Sequence, residues 1–323
     1  MDVSARQARE WVTLFPRHPV FWLIVSIGLV FVVARRTQPP DPTAGLGSAP
    51  NASQPAPLDR AARAAQYGWL SQRDRAAYQA LIERVAPPPG FRRVDAPSGS
   101  FADWLRHLPC RPADSPVLDG RGRTIRPADD PTLALVLQLQ PSRAGLLNAA
   151  NMVYRLRAEY LWAMQKLDAA RFTMTSGAEC PWARFAAGER PIVKGRDVTW
   201  KPGRPAGGGR EPYVGYLETL FKYSSSISLD RDMRRVTGGA VEPGDAFVRV
   251  GRPGHAMIVL DVAVDESGQR RMMLGQGGTP PMTLHVLRGA DGSPWIAWDG
   301  ASTLHVPPAP PMPASTWRRW SDE

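Results

Sequence analysis

Apolar residues return at intervals of three and four along two stretches of the chain, which is the spacing of one face of an α-helix. The stronger pattern predicts a helix from Leu146 to Leu167, and the weaker one predicts a helix from Pro212 to about Tyr223. Ser228 can cap a third helix that continues towards Val236. Shorter helices are predicted within residues 60–85 and 101–107.

Other segments carry short apolar runs bounded by Gly, Pro and Asp, which indicate β-strands. In the first half of the chain, strands are predicted at Phe91 to Val94 and Leu133 to Leu139. After residue 243 the strands follow one another closely, at Ala246 to Val250, His255 to Val264, Arg271 to Gln276 and Thr283 to Leu287. An antiparallel β-meander that follows helices predicts an α+β fold, with the helices packed on the meander.

One apolar run is too long and too uniform for a soluble loop. Residues 19–34 carry no charge and lie between Arg17-His18 and Arg35-Arg36. At the rise of a helix the run spans about 24 Å, so with its flanking polar side chains it predicts a transmembrane anchor. A cleavable signal peptide is the competing interpretation, but no small-residue cleavage site follows the run directly. Residues 1–18 are then expected to be cytoplasmic.

The remaining chain divides by composition. Residues 35–58 are rich in Pro, Ala, Ser and Gly, which is typical of a linker. Residues 59–306 are expected to form one globular domain, and residues 307–323 a Pro-rich tail whose Trp317 and Trp320 pack back on that domain. The basic, Gly-rich stretch from Glu189 to Glu211 is expected to be a mobile surface loop.

The charge of the chain is compatible with several anionic partners but selects none. Forty Lys and Arg against thirty Asp and Glu give a net charge of +10, which suits anionic lipid or an acidic polymer. Nucleic acid is not expected, because the arginines are scattered and no recognised binding motif organises them.

The two cysteines, Cys110 and Cys180, cannot form a tetrahedral metal site alone, so neither a metal nor another cofactor is expected. In an exported domain they could pair as a disulfide, and in the cytosol they would be free. Cys180 is followed by Pro181, which can open a short helix and bring a thiol to its positive end.

Several sequence segments resemble those of one known family. They include Gly90-Phe91-Arg92-Arg93, Ser100-Phe101-Ala102-Asp103-Trp104, Arg155-Leu156-Arg157-Ala158-Glu159-Tyr160, Gly244-Asp245-Ala246-Phe247 and Gly254-His255-Ala256-Met257-Ile258. In this order they look like the bacterial domain-of-unknown-function 4846 family. The resemblance implies an exported or lipid-anchored protein without an established activity. Together with the predicted anchor at residues 19–34, it implies a domain held on the outer, periplasmic side of the bacterial inner membrane.

Residues 244–276 are also similar to the C-terminal half of NlpC-type, papain-like cell-wall amidases. This second resemblance implies a papain-like form of the α+β fold, with His255 as the catalytic imidazole and Gln276, or less favourably Asp261, as the group that orients it. The nucleophile should be a cysteine at the start of the helix that bears Arg155, but this sequence has Ala149 there. The remaining cleft candidates are Asn151, Arg155, Arg157, Glu159 and Asp245.

Three functional hypotheses follow from these residues. The first is an envelope protein that binds a cell-wall peptide, a glycan or another envelope protein without cleaving it, because an alanine cannot attack a carbonyl. The second is a cysteine-dependent cell-wall peptidase or amidase that uses Cys180 and His255. The third is a scaffold whose basic stretch 189–211 contacts anionic lipid or polymer.

Overall fold

The computed structural model describes residues 59–141 and 145–321. The predicted cytoplasmic segment, anchor and linker (1–18, 19–34 and 35–58) lie outside the described residues. Within the two described ranges, no helix combines the length and the apolar character needed to cross a membrane.

Helices dominate the first part of the domain. They are α1 (Arg60–Ala65), α2 (Gln72–Ala76), α3 (Leu81–Arg84), α4 (Phe101–Arg106), α5 (Ala149–Ala163), α6 (Trp182–Ala186), α7 (Arg210–Tyr223) and α8 (Ser226–Asp232). The start of α5 is fixed by Asn148, whose side chain accepts a hydrogen bond from the backbone N–H of Asn151 at 3.0 Å. The predicted helix 146–167 is therefore confirmed but is shorter at both ends.

Strands build one large sheet and three small hairpins. They are β1 (Phe91–Arg93), β2 (Val117–Leu118), β3 (Thr124–Arg126), β4 (Leu133–Val136), β5 (Arg171–Thr173), β6 (Glu179–Pro181), β7 (Arg190–Lys194), β8 (Asp197–Lys201), β9 (Met233–Arg235), β10 (Ala246–Arg249), β11 (His255–Asp265), β12 (Arg270–Gln276), β13 (His285–Leu287), β14 (Ile296–Ala297) and β15 (Trp317–Trp320). The large sheet has the order β4-β13-β12-β11-β10-β15-β9, with β1 added to β11 and β14 added to β12. All of its pairs are antiparallel. The predicted α+β fold, with helices on an antiparallel meander, is confirmed.

The central strand β11 is buried on both faces. Ile258 and Leu260 point into the apolar core under the helices, where α5 packs across β11. Met257 and Val259 point into a second apolar cluster on the opposite face, together with Trp317. Because neither face meets water, the strand reads as a continuous apolar run and does not alternate with polar residues.

The basic stretch 189–211 is not the mobile loop that its composition suggested. Its first half forms the hairpin of β7 and β8, in which Lys194 pairs with Asp197 across a two-residue turn at Gly195 and Arg196. The alternation of exposed and partly buried residues along both strands is the period-2 pattern of a strand. The high charge of the segment hid this pattern in the sequence.

The segment expected to be a Pro-rich tail contributes a strand to the large sheet. β15 lies between β10 and β9, and both Trp317 and Trp320 are buried. Asp245 holds this strand, because its carboxylate accepts hydrogen bonds from Trp317 Nε1 at 2.8 Å and from Arg319 Nη2 at 2.7 Å. Two tryptophans separated by two residues therefore indicate a buried strand here, not an exposed binding motif.

Candidate functional site

Three polar side chains form a hydrogen-bonded row across neighbouring strands of the sheet. His255 begins β11, Gln276 ends β12 and His285 begins β13. His255 Nε2 lies 3.0 Å from Gln276 Oε1, and Gln276 Nε2 lies 3.2 Å from His285 Nε2. The row is positioned by strand pairing, since Gln276 is the direct partner of His285 in the ladder. The structure thus brings His255 and Gln276 together.

The direction of each hydrogen bond in the row follows from one carbonyl group. His285 Nδ1 lies 2.9 Å from the carbonyl oxygen of Thr283, which can only accept, so Nδ1 donates. In a neutral imidazole His285 Nε2 is then an acceptor for the amide N–H of Gln276. The amide oxygen of Gln276 must face His255, whose Nε2–H donates to it. The lone pair of His255 therefore lies on Nδ1.

Burial keeps both imidazoles neutral. It lowers the pKa of His285 to about 4. Burial also lowers the pKa of His255, with a smaller contribution from the nearby Arg249 guanidinium, while the hydrogen bond to Gln276 acts in the opposite direction. A neutral His255 with a fixed proton on Nε2 presents a hydrogen-bond acceptor, not a positive charge.

The first turn of α5 faces the end of β12. Gly277 directly follows Gln276, and a Cβ atom at Gly277 would lie only 3.2 Å from the Cβ of Met152. Ala149 precedes Met152 by three positions, so the two residues share one face of the helix. Ala149 is buried and offers only a methyl group to this region.

Asn151 links the first turn of α5 to the end of α7. Its side-chain amide donates to the carbonyl oxygens of Leu146 and Phe221 at 2.7 and 2.9 Å, and its Oδ1 accepts from Ser224 Oγ at 2.9 Å. All of its polar atoms are therefore used within the fold. Asn151 therefore has a structural role.

The loop before His255 also lies close to α8. A Cβ atom at Gly254 would lie 2.9 Å from the Cβ of Ser226, and closer still to its hydroxyl oxygen. Position 254 therefore accepts no side chain unless α8 moves. This close approach sets the point at which β11 begins, and with it the position of His255.

Cys180 belongs to the β5–β6 hairpin and not to the large sheet that carries the row. It is fully buried on β6, opposite Phe172 of β5, and its carbonyl oxygen accepts a hydrogen bond from Tyr216 Oη at 2.8 Å. Burial raises the pKa of its thiol to about 12, so the thiolate that nucleophilic chemistry needs is not populated at neutral pH. Cys110 and Cys180 are both free thiols.

The remaining candidates are engaged in contacts within the domain. Asp261 is buried between Arg93 and Arg106, with Nε and Nη2 at 2.6 and 3.0 Å from its oxygens. This carboxylate therefore does not orient His255. The cleft candidate Asp245 likewise holds β15, as described above.

The charged residues of α5 have partners as well. Glu159 is buried and accepts two hydrogen bonds from Arg210, at 2.7 and 2.8 Å, with Arg155 Nε at 3.6 Å. Arg157 is buried over the rings of Phe101, Tyr160 and Trp320, with its guanidinium 5.0, 5.2 and 5.6 Å from their centres. These contacts join α5 to α4, α7 and β15.

Two residues of the site were not singled out from the sequence, His285 and Ser226. His285 falls in the predicted strand Thr283 to Leu287, but only the ladder pairing with Gln276 reveals its contact. Among the described residues, His, Cys, Asp and Glu form no cluster of three that could hold a metal ion.

Comparison with known proteins identifies the family. The family described as Domain of unknown function (4846) matches residues 81–309, a range that contains α5, the polar row and most of the large sheet. No curated protein and no solved structure matches the chain. Because the match covers well over half of the 323 residues, the chain belongs to the domain-of-unknown-function 4846 family.

Proposed function

We propose that this protein is a membrane-anchored envelope protein whose domain binds a cell-wall peptide and does not cleave it. The observation that carries the proposal is the row His255–Gln276–His285 beside a helix that begins with Ala149. In the papain-like amidases that residues 244–276 resemble, such an imidazole serves a cysteine. This chain has the imidazole, at His255, but has Ala149 where the cysteine is expected.

His255 supplies a fixed hydrogen-bond acceptor for such a ligand. Its Nε2–H is used by Gln276, and Gln276 is itself held by His285. Nδ1 can then accept a hydrogen bond from a peptide N–H. Binding requires no change of tautomer, because the tautomer is already fixed in the unbound protein. A ligand bound there would remain intact, because Cys110 and Cys180 have thiol pKa values raised by burial to about 12.

The envelope location is supported by the sequence. Residues 19–34 form an uncharged apolar run next to a Pro-rich segment, which is the composition of an anchor and a tether. Release of the full-length protein from membranes by alkaline carbonate would argue against the anchor.

Binding is tested with a synthetic cell-wall tetrapeptide and the full-length protein. We expect the ¹⁵N resonance of His255 Nδ1 to shift on titration, and His255→Gln to weaken binding about tenfold, the effect of one well-placed hydrogen bond. The exposed His305 provides the control, since His305→Gln removes an imidazole from a different surface. Cleavage of the peptide, detected by mass spectrometry, would overturn the proposal, and so would equal affinities of both variants.

The proposed position of Ala149 is tested by restoring a thiol. In Ala149→Cys we expect alkylation by iodoacetamide at pH 7 to be at least tenfold faster than in Ala150→Cys, one position further along the same helix. The helix N-terminus would stabilise the thiolate, and His255 Nδ1 would accept the thiol proton. Full ionisation raises the thiolate fraction about thirtyfold over an ordinary cysteine.

The native thiols should contribute little background to this assay, because burial raises the pKa of each. Adding His255→Gln to Ala149→Cys should remove most of the rate advantage. Equal rates for the two cysteine variants would show that residue 149 does not face the imidazole.

A further inference from the structure

A second surface feature is not used by the site described above. It is a cleft of about 570 Å³, here called the basic cleft, whose charged lining residues are Arg196, Lys222, Arg231 and Arg252. Four residues with hydroxyl-bearing side chains, Thr175, Ser176, Tyr223 and Ser224, line it too. Among the described residues, no Asp or Glu belongs to the lining.

The four cations reach the basic cleft from four separate parts of the fold. Arg196 lies at the tip of the β7–β8 hairpin, Lys222 near the end of α7 and Arg231 near the end of α8. Arg252 lies in the loop between β10 and β11, three residues before His255. Folding therefore brings together charges that the sequence keeps apart, although their mutual repulsion opposes this arrangement.

Among the described residues, no carboxylate neutralises the cations of the basic cleft. Within the described part of the chain, Arg196, Lys222 and Arg252 form no ion pair, and Arg231 donates only to the carbonyl oxygen of Thr175, at 3.1 Å. Some exposed arginines elsewhere are paired, as in Arg60–Glu83, Arg123–Asp119 and Arg171–Glu179. The basic cleft is distinguished by four cations that line one cavity without a carboxylate among the described residues.

Another cavity of the domain shows the contrast. It measures about 700 Å³, and the charged residues in its lining are one arginine, Arg270, and one aspartate, Asp299. Opposite charges there leave no preference for an anion, whereas the basic cleft carries four positive charges. Guanidinium and hydroxyl groups that converge in a concave surface suit oxyanions, because they donate several hydrogen bonds to one acidic group.

We infer that the basic cleft binds a ligand with two or more carboxylate or phosphate groups. The inference goes beyond the peptide-binding proposal and does not depend on it, since neither His255 nor Gln276 lines the basic cleft. A hydrogen bond from Ser224 Oγ joins the basic cleft to Asn151 of α5.

The test is isothermal titration of the full-length protein at low salt with tripolyphosphate and, separately, with citrate. We expect at least one of the two to bind, and Arg196→Gln and Arg252→Gln each to weaken that binding about tenfold, as loss of a charged hydrogen bond does. The matched control is Arg92→Gln, which removes the same charge from an exposed position on β1. It should change the affinity less than twofold.

Each outcome has a definite meaning. Binding of tripolyphosphate alone assigns phosphate groups to the ligand, and binding of citrate alone assigns carboxylates. Failure of both anions to bind overturns the inference, and so does an equal loss of affinity in Arg92→Gln and the two cleft variants. Failure of this anion test would not affect the peptide-binding proposal, which is tested separately with His255→Gln.

Discussion

Replacing Asp261 by alanine should lower the free energy of unfolding by about 3–5 kcal/mol, because it leaves two buried guanidinium groups without their shared counter-ion. Asp261 is 1% exposed and joins Arg93 of β1 to Arg106 of α4 at a register shift of β11. It also accepts a hydrogen bond from the backbone N–H of Val262 at 3.0 Å. The measurement is urea denaturation at pH 7, read as a lower midpoint with an unchanged slope.

The control for this prediction is Asp291→Ala. Asp291 also contacts an arginine, Arg271, at 3.3 Å, but its side chain is 56% exposed. An exposed pair of this kind contributes about 0–1 kcal/mol. Similar losses in the two variants would mean that Asp261 is solvated in the folded protein and does not act as a buried counter-ion.

Acid should weaken the domain well before its carboxylates titrate, and His285 is the main reason. Burial lowers the pKa of His285 from its ordinary value near 6.5 to about 4, so the unfolded chain binds a proton that the folded domain resists. Stability from this group is complete above pH 6.5 and falls as the pH drops towards 4. The whole effect is about 3 kcal/mol, of which about 2 kcal/mol is lost between pH 7 and pH 5. Burial also lowers the pKa of His255, so protonation of His255 destabilises the folded domain in the same pH direction.

The variant His285→Gln tests the assignment. A glutamine offers an acceptor to the amide of Gln276 but does not titrate, so the fall in stability between pH 7 and pH 5 should be smaller by about 2 kcal/mol. The titratable or charged groups that act on the pKa of His285 from other elements are Arg126, Asp130 and His255, and all three remain in the variant. His305→Gln, at an exposed position, should keep the pH dependence of the natural chain. An unchanged dependence in His285→Gln would contradict the buried, neutral imidazole.

Local patterns were enough to predict most elements of the fold. The helical spacing around Val153 and Tyr160 led to α5, and turns at Pro243-Gly244 and Asp265-Glu266 separated the strands of the meander. The hairpin of β7 and β8 was missed because its alternation is carried by charged side chains. α8 begins at Ser226, earlier than predicted, because Ser225 supplies the cap and not Ser228.

The candidate site was only partly predictable. A resemblance of residues 244–276 led to His255 and Gln276, which the structure joins at 3.0 Å. The contact with His285 depends on the register between β12 and β13, and the residues that connect these strands do not specify it. The basic cleft could not be predicted from the sequence either, because its cations come from segments that meet only in the folded domain.

The position of β15 has a consequence during synthesis on the ribosome. Among the described strands, β9 pairs only with β15, and β15 in turn pairs with β10. Until residues 317–320 leave the exit tunnel, a nascent chain that already contains the meander shows an open edge at β10, to which other extended segments can add. A stop codon between β14 and β15 would make this exposure permanent, and the shortened product should be a target for chaperones and proteases.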